Sequence, residues 1–158
     1  MRLYLKQHIL TLGDSFSVYD ENGDEKYFVK GMLYFRGLDL CIYDLEGNPL
    51  LFIDKNIIPL FTKYYISRNG IRIAEVVKEP SFLNDIYSVN NLGWTVKGDF
   101  LNHQYEITDQ YGSIATVSKE WFTLGDGYNI RVVDDVDETV ALAVCLIIDA
   151  CLESRENA

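Results

Sequence analysis

Apolar or methyl-bearing residues recur at every second position through much of the chain. The sets are Phe16 and Val18, Tyr27 and Val29, Leu38, Leu40 and Ile42, Ile71 and Ile73, then Ile114 and Thr116. Successive strand side chains point to opposite faces, so each set predicts a strand with one face against a core. Strands are predicted near 15–20, 25–36, 38–44, 49–54, 62–67, 70–78, 85–90, 93–100, 102–109, 113–119 and 127–133. Four stretches punctuate them: VYDENG from Val18, IYDLEG from Ile42, ISRNG from Ile66 and ITDQYG from Ile107. In each, Asp or Asn can bond the turn backbone. Gly23, Gly47, Gly70 and Gly112 supply the positive φ that hairpin turns require. The intervals are unequal, 24 positions from Asp20 to Asp44 against 41 from Arg68 to Asp109, which argues for meander hairpins over propeller blades. The segment 55–61, KNIIPLF with Pro59, reads as a connection between groups of strands.

The pattern changes after Asp134 and Asp135. The run TVALAVCLII, Thr139 to Ile148, has no polar face and predicts a helix over roughly 136–152. Asp135 with Glu138 three residues on fits a capping box, and Asp134, Asp137 and Glu138 suit the positive end of the helix dipole. A helix apolar all round must be enclosed by protein or by lipid. At about 1.5 Å per residue the run spans only about 15 Å, half of a hydrocarbon layer of about 30 Å, before Asp149 ends it. Protein is the better enclosure, and a closed antiparallel barrel provides one. The predicted architecture is therefore mainly β: one domain over 1–158, strands within about 3–133, and a buried central helix near 136–152.

Composition agrees. The 158 residues suit one core, and 11 Tyr among 13% aromatics favour half-buried strands. A net charge of -10 repels nucleic-acid backbones and anionic lipid at long range, although Lys30, Lys55, Lys63, Lys78, Lys97, Lys119 and Arg131 could still converge locally. Cys41, Cys145 and Cys151 form no C-x-x-C pair and read as buried reduced thiols. Lys6 and His8 interrupt Leu3, Leu5 and Ile9 before a signal core can form, so the expected location is cytoplasmic, with no transmembrane segment.

Long ordered strings carry a family resemblance: LGDSFSVYDENG from Leu12, GWTVKGDFLNHQYEITD from Gly93 and SKEWFTLGDGY from Ser118. Through these the chain resembles the bacterial branch of the LURP-one-related family, which belongs with tubby C-terminal domains and phospholipid scramblases. The likeness runs from Leu3 to Glu153. It implies a barrel of about twelve antiparallel strands threaded by a hydrophobic C-terminal helix. Tubby domains bind phosphoinositides through a basic surface pocket, and no Lys or Arg motif of that pocket aligns with this chain.

Sites of chemistry are sparse. His8 and His103 stand in no metal-ligand spacing, and nucleophile, phosphate-loop and dinucleotide motifs are absent from the sequence. Asp20, Asn22 and Asp24 alternate like the start of a calcium loop, but Glu25 replaces the required Gly and Gly31 the closing Glu, so a solvated turn is expected. Asp149 either marks the helix emerging into solvent or lies in the barrel mouth with a partner; 11 positions from Glu138, it shares nearly the same helical face. Trp94 and Trp121 read as packing residues. No catalytic residue, metal ligand or cofactor is assigned. The expected function is a non-enzymatic module binding a phospholipid headgroup, a phosphoinositide or another small anion. A protein-interaction scaffold is the alternative, and an enzyme using Asp99 or Glu106 comes third.

Overall fold

In the computed structural model, which describes residues 1–6, 15–34, 37–58, 61–81, 83–122 and 125–156, twelve strands form a closed antiparallel barrel. They are β1 (Arg2–Lys6), β2 (Ser15–Tyr19), β3 (Glu25–Tyr34), β4 (Gly37–Tyr43), β5 (Pro49–Ile58) and β6 (Phe61–Arg68). β7 (Ile71–Glu79), β8 (Ile86–Asn90), β9 (Trp94–Asp99), β10 (Gln104–Thr108), β11 (Ser113–Phe122) and β12 (Gly125–Val132) follow, then one helix, α1 (Glu138–Glu156). Each strand pairs with its sequence neighbours, and β1 closes the ring on β12 through Leu3 opposite Ile130. Closure leaves no free sheet edge, and every strand has a hydrogen-bonded neighbour on both sides.

The alternation pattern missed β1, a five-residue strand whose buried Leu3 and Leu5 make too short a signal to stand out. The supposed connection at 55–61 is also corrected. β5 continues to Ile58 and β6 begins at Phe61, so 55–58 and 61 are strand, and Pro59 lies outside the described residues.

The four glycine turns are hairpins, with Gly23 at φ 85°, Gly47 at 87°, Gly70 at 76° and Gly112 at 141°. Each hairpin also carries a register shift beside its turn: between Val18 and Tyr19, Ile42 and Tyr43, Ile66 and Ser67, and Ile107 and Thr108. The extra residue always sits on the returning strand, at Lys26, Leu50, Ile73 and Ile114. These are β-bulges, which sharpen twist at a barrel rim and reset which residues face inward. They explain two failures of simple alternation. In β7 Ile71 is exposed, while Ala74 and Val76 are buried; in β11 Ile114 and Ala115 are both buried, while Thr116 faces out.

Even-numbered strands end at one rim, so all four bulged turns gather where β12 ends and α1 enters. The helix starts later than the sequence pattern suggests, and its cap differs. Asp137, not Asp135, accepts hydrogen bonds from the Thr139 amide (3.0 Å), its hydroxyl (2.5 Å) and the Val140 amide (3.4 Å). Asp135 sits at φ 70° in the preceding turn, outside the cap. Arg68 secures the cap through Asp137 (2.6 Å) and the Thr139 hydroxyl (3.2 Å). Glu138 is buried and turns away to the Tyr27 hydroxyl and the Lys26 ammonium (2.6 Å).

Every residue from Glu138 to Ile148 is buried. Leu142, Ile147 and Ile148 join inward residues of β1 to β12 in one core, with Leu3, Ile42, Ile53, Ile66, Val96 and Ile107 on the walls. Among the described residues, no helix is long and apolar enough to cross a membrane.

Candidate functional site

Two features stand out where the chain concentrates polar groups: a groove on the outer wall, and a tyrosine-lined mouth where the helix approaches the opposite rim. The groove has a volume of about 660 Å³ and crosses the outside of β8 to β11. Short strands β8, β9 and β10 lie here between the nine-residue β7 and ten-residue β11. At its centre Gly98 adopts φ 152°, where a side chain's first carbon would lie 2.5 Å from the Gln104 carbonyl oxygen and 2.6 Å from the Tyr105 Cα. Only glycine allows β9 and β10 to meet this closely.

The register then sets the chemistry. Lys97 lies opposite Glu106 on β10 and Ile86 on β8, and Gln104 lies opposite Ser118 on β11. Asn84 and Asp85, from the connection before β8, complete the wall. Asp85 holds Lys78 at 2.9 Å. The side chains of Lys97, Gln104, Glu106, Ser118 and Asn84 take part in no hydrogen bond or ion pair among the described residues. Elsewhere on the wall Lys63 pairs with Glu75 at 3.2 Å.

At the mouth, Asp149 accepts a hydrogen bond from the Tyr128 hydroxyl at 2.6 Å, and His103 Nδ1 lies 3.1 Å from the same oxygen. With its proton directed to Asp149, the Tyr128 oxygen accepts from His103, which places a hydrogen on Nδ1. The mouth is otherwise lined by phenols and thiols held neutral. Burial first, then the neighbouring Cys151, raises the pKa of Tyr64 and Tyr87; burial and Cys145 raise that of Tyr105. Burial likewise pushes the Cys145 thiol up to about 12 and the Cys151 thiol up to about 11. An activated nucleophile needs the opposite shift.

The residues singled out in the sequence scatter. The seven basic residues lie on seven different strands, β3, β5, β6, β7, β9, β11 and β12. Lys55 lies over the Tyr64 ring at 5.8 Å, and Arg72, not among the seven, stacks on Tyr65 at 3.4 Å. Asp20 accepts from the Asn22 and Asp24 amides at 2.8 and 3.0 Å, which makes it the anchor of a turn. Asp99 does the same for Asn102 (3.2 Å from the amide, 2.6 Å from the side chain). His103 occupies the β9–β10 turn at φ 52°. Trp94 is half-buried against the core. His8 and the side chain of Trp121 lie outside the described residues. Cys41, Cys145 and Cys151 are free thiols, two of them buried.

Sequence reasoning weighed Lys97 and Glu106 separately and missed their pairing, along with Gln104, Ser118 and Asn84. The signal was present in the hairpin. A turn centred between Leu101 and Asn102 makes Asp99 face Gln104 and Lys97 face Glu106.

Comparison with known proteins comes to the same fold. Over 157 residues the chain is 27% identical to the uncharacterised protein YxjI of Bacillus subtilis (strain 168), covering 99% of this chain and 97% of that one. An X-ray structure of a protein from Arabidopsis thaliana superposes with a TM-score of 0.65 at 15% identity, covering 95% of this chain and 91% of that chain. The model of the family described as LURP-one-related matches residues 1–149, and the chain belongs to that family.

Proposed function

We propose that the protein is a non-enzymatic binding module and that it binds a small polar ligand in the groove across β8 to β11. The observation that carries this reading is a concavity of about 660 Å³ in whose wall Lys97, Gln104, Glu106, Ser118 and Asn84 have side chains with no partner among the described residues. Small-molecule sites fall in the range of about 300–1,000 Å³ and use a few convergent polar groups. The basic phosphoinositide pocket of tubby domains is the weaker model for it, because the basic residues are distributed strand by strand. The neutral phenols and thiols of the mouth favour binding over catalysis.

A second reading, a protein-interaction scaffold, draws on the rim with the bulged turns. There Leu45, Ile71 and Tyr111 are exposed among Asp20, Asp44 and Asp109. Amide chemical-shift mapping against a panel of small polar compounds separates the two. Shifts confined to Lys97, Gly98, Gln104, Glu106 and Ser118 support the groove. Shifts from a protein partner at the bulged-turn rim, with a silent groove, refute it.

A further inference from the structure

The geometry points to a zwitterion as the groove's ligand: a molecule with an anionic and a cationic group a few ångströms apart. This inference rests on the groove being the binding site. Lys97 and Glu106 are direct cross-strand partners on the outer face of β9 and β10. Such partners hold their Cβ atoms about 4.5–5.5 Å apart. Yet among the described residues neither side chain forms an ion pair, while Lys78 nearby has closed on Asp85 at 2.9 Å. Among the described residues the groove thus offers the unpaired Lys97 ammonium beside the unpaired Glu106 carboxylate, while Asp85 is paired with Lys78.

That arrangement selects by charge pattern. An anion drawn to Lys97 would sit within several ångströms of the Glu106 carboxylate, and a cation drawn to Glu106 would meet the Lys97 ammonium. Either loses much of its attraction to the like charge. A zwitterion oriented with its anionic end on Lys97 and its cationic end on Glu106 satisfies both. Gln104, Ser118 and Asn84 can bond its neutral middle, and Ile86 gives it an apolar contact beside the bare backbone of Gly98. A zwitterionic phospholipid headgroup and a free amino-acid-like zwitterion share this chemistry.

The test is a titration of the full chain followed by amide chemical shifts. The probes are glycerophosphoethanolamine and diglycine as zwitterions, glycerophosphate as the anion alone and ethanolamine as the cation alone. A zwitterion should bind at the groove at least about tenfold more tightly than either single-charge probe. Lys97→Glu and Glu106→Lys should each weaken it by about tenfold, and the double reversal should restore it to within about threefold, since the pair of charges is regenerated. Thermal melts of the three variants confirm that each is folded.

Groove shifts of equal affinity for glycerophosphate or ethanolamine would overturn the zwitterion while leaving the groove as the site. Shifts elsewhere, or none with any probe, would overturn both. Co-sedimentation with phosphatidylethanolamine vesicles, lost in Glu106→Lys, assigns the headgroup as source. Groove binding of diglycine without co-sedimentation assigns a free zwitterion.

Discussion

Truncating the helix to alanine at Leu142, Ile147 and Ile148, one position at a time, tests whether the barrel encloses it on every side. All three side chains are fully buried, at 0% exposure. At about 100° per residue, Ile147 and Ile148 lie about 140° and 240° around the helix from Leu142, so together they sample its whole circumference. Each substitution removes three carbons, a transfer loss of about 2.4 kcal/mol at about 0.8 kcal/mol per group. A closed barrel cannot collapse onto the gap as an open bundle can. If about 60 Å³ stays open at about 24 cal/mol per Å³, a further loss of about 1.5 kcal/mol follows. The expected destabilisation is about 4 kcal/mol at each position, against a total of about 5–15 kcal/mol for an ordinary domain. Urea unfolding followed by tryptophan fluorescence and circular dichroism measures it, with the slope m unchanged. A loss under about 1 kcal/mol at any one of the three would reveal a permissive face, and the enclosed-helix argument would fail. Ile147→Asp adds an unpaired buried charge and should yield no soluble folded protein.

Three further outcomes follow from the polar contacts. Burial disfavours ionised Asp137, but hydrogen bonds from Thr139 and Arg68 and the Arg68 charge outweigh it and hold its pKa below the usual value. Its contribution is therefore complete above about pH 4, the unfolded value, and is lost as pH falls through the lower folded pKa. Asp137→Ala should cost about 0.5–2 kcal/mol at pH 7 as a lost cap, and should flatten the acid limb of a stability–pH curve; an unchanged acid limb counts against the cap. Tyr128→Phe takes one donor from half-buried Asp149 and should cost about 1–3 kcal/mol, partly recovered by Asp149→Asn in the same chain; a double mutant no more stable than the single contradicts the pairing. With its thiol buried and pushed up to about 12, Cys145 should resist alkylation at pH 8 until the chain unfolds, and stoichiometric labelling of the native protein by mass spectrometry would contradict its burial.

The sequence by itself determined the class of fold and the place of its centre. Thr139 to Ile148 offers no polar face, and that composition alone demands an enclosure whatever surrounds it. The glycine turns are equally local, since a positive φ beside Asp or Asn is a property of a few adjacent residues. Pattern reading failed where one inserted residue changes the phase. The bulges at Ile73 and Ile114 exchange inward for outward positions, and whether a bulge forms depends on the neighbouring strand as much as on its own residues. Asp149 shows the same limit. The sequence left it either solvated or paired, and only the approach of β12 places the Tyr128 hydroxyl 2.6 Å away. The candidate site belongs wholly to this second kind. Lys97, Glu106, Gln104 and Ser118 are ordinary strand residues one by one, and they become a groove because cross-strand register, with Gly98 admitting β10, sets them side by side. Local composition fixes what a segment must bury or where it must turn; which polar groups meet across strands is a property of pairing, which only the closed barrel decides.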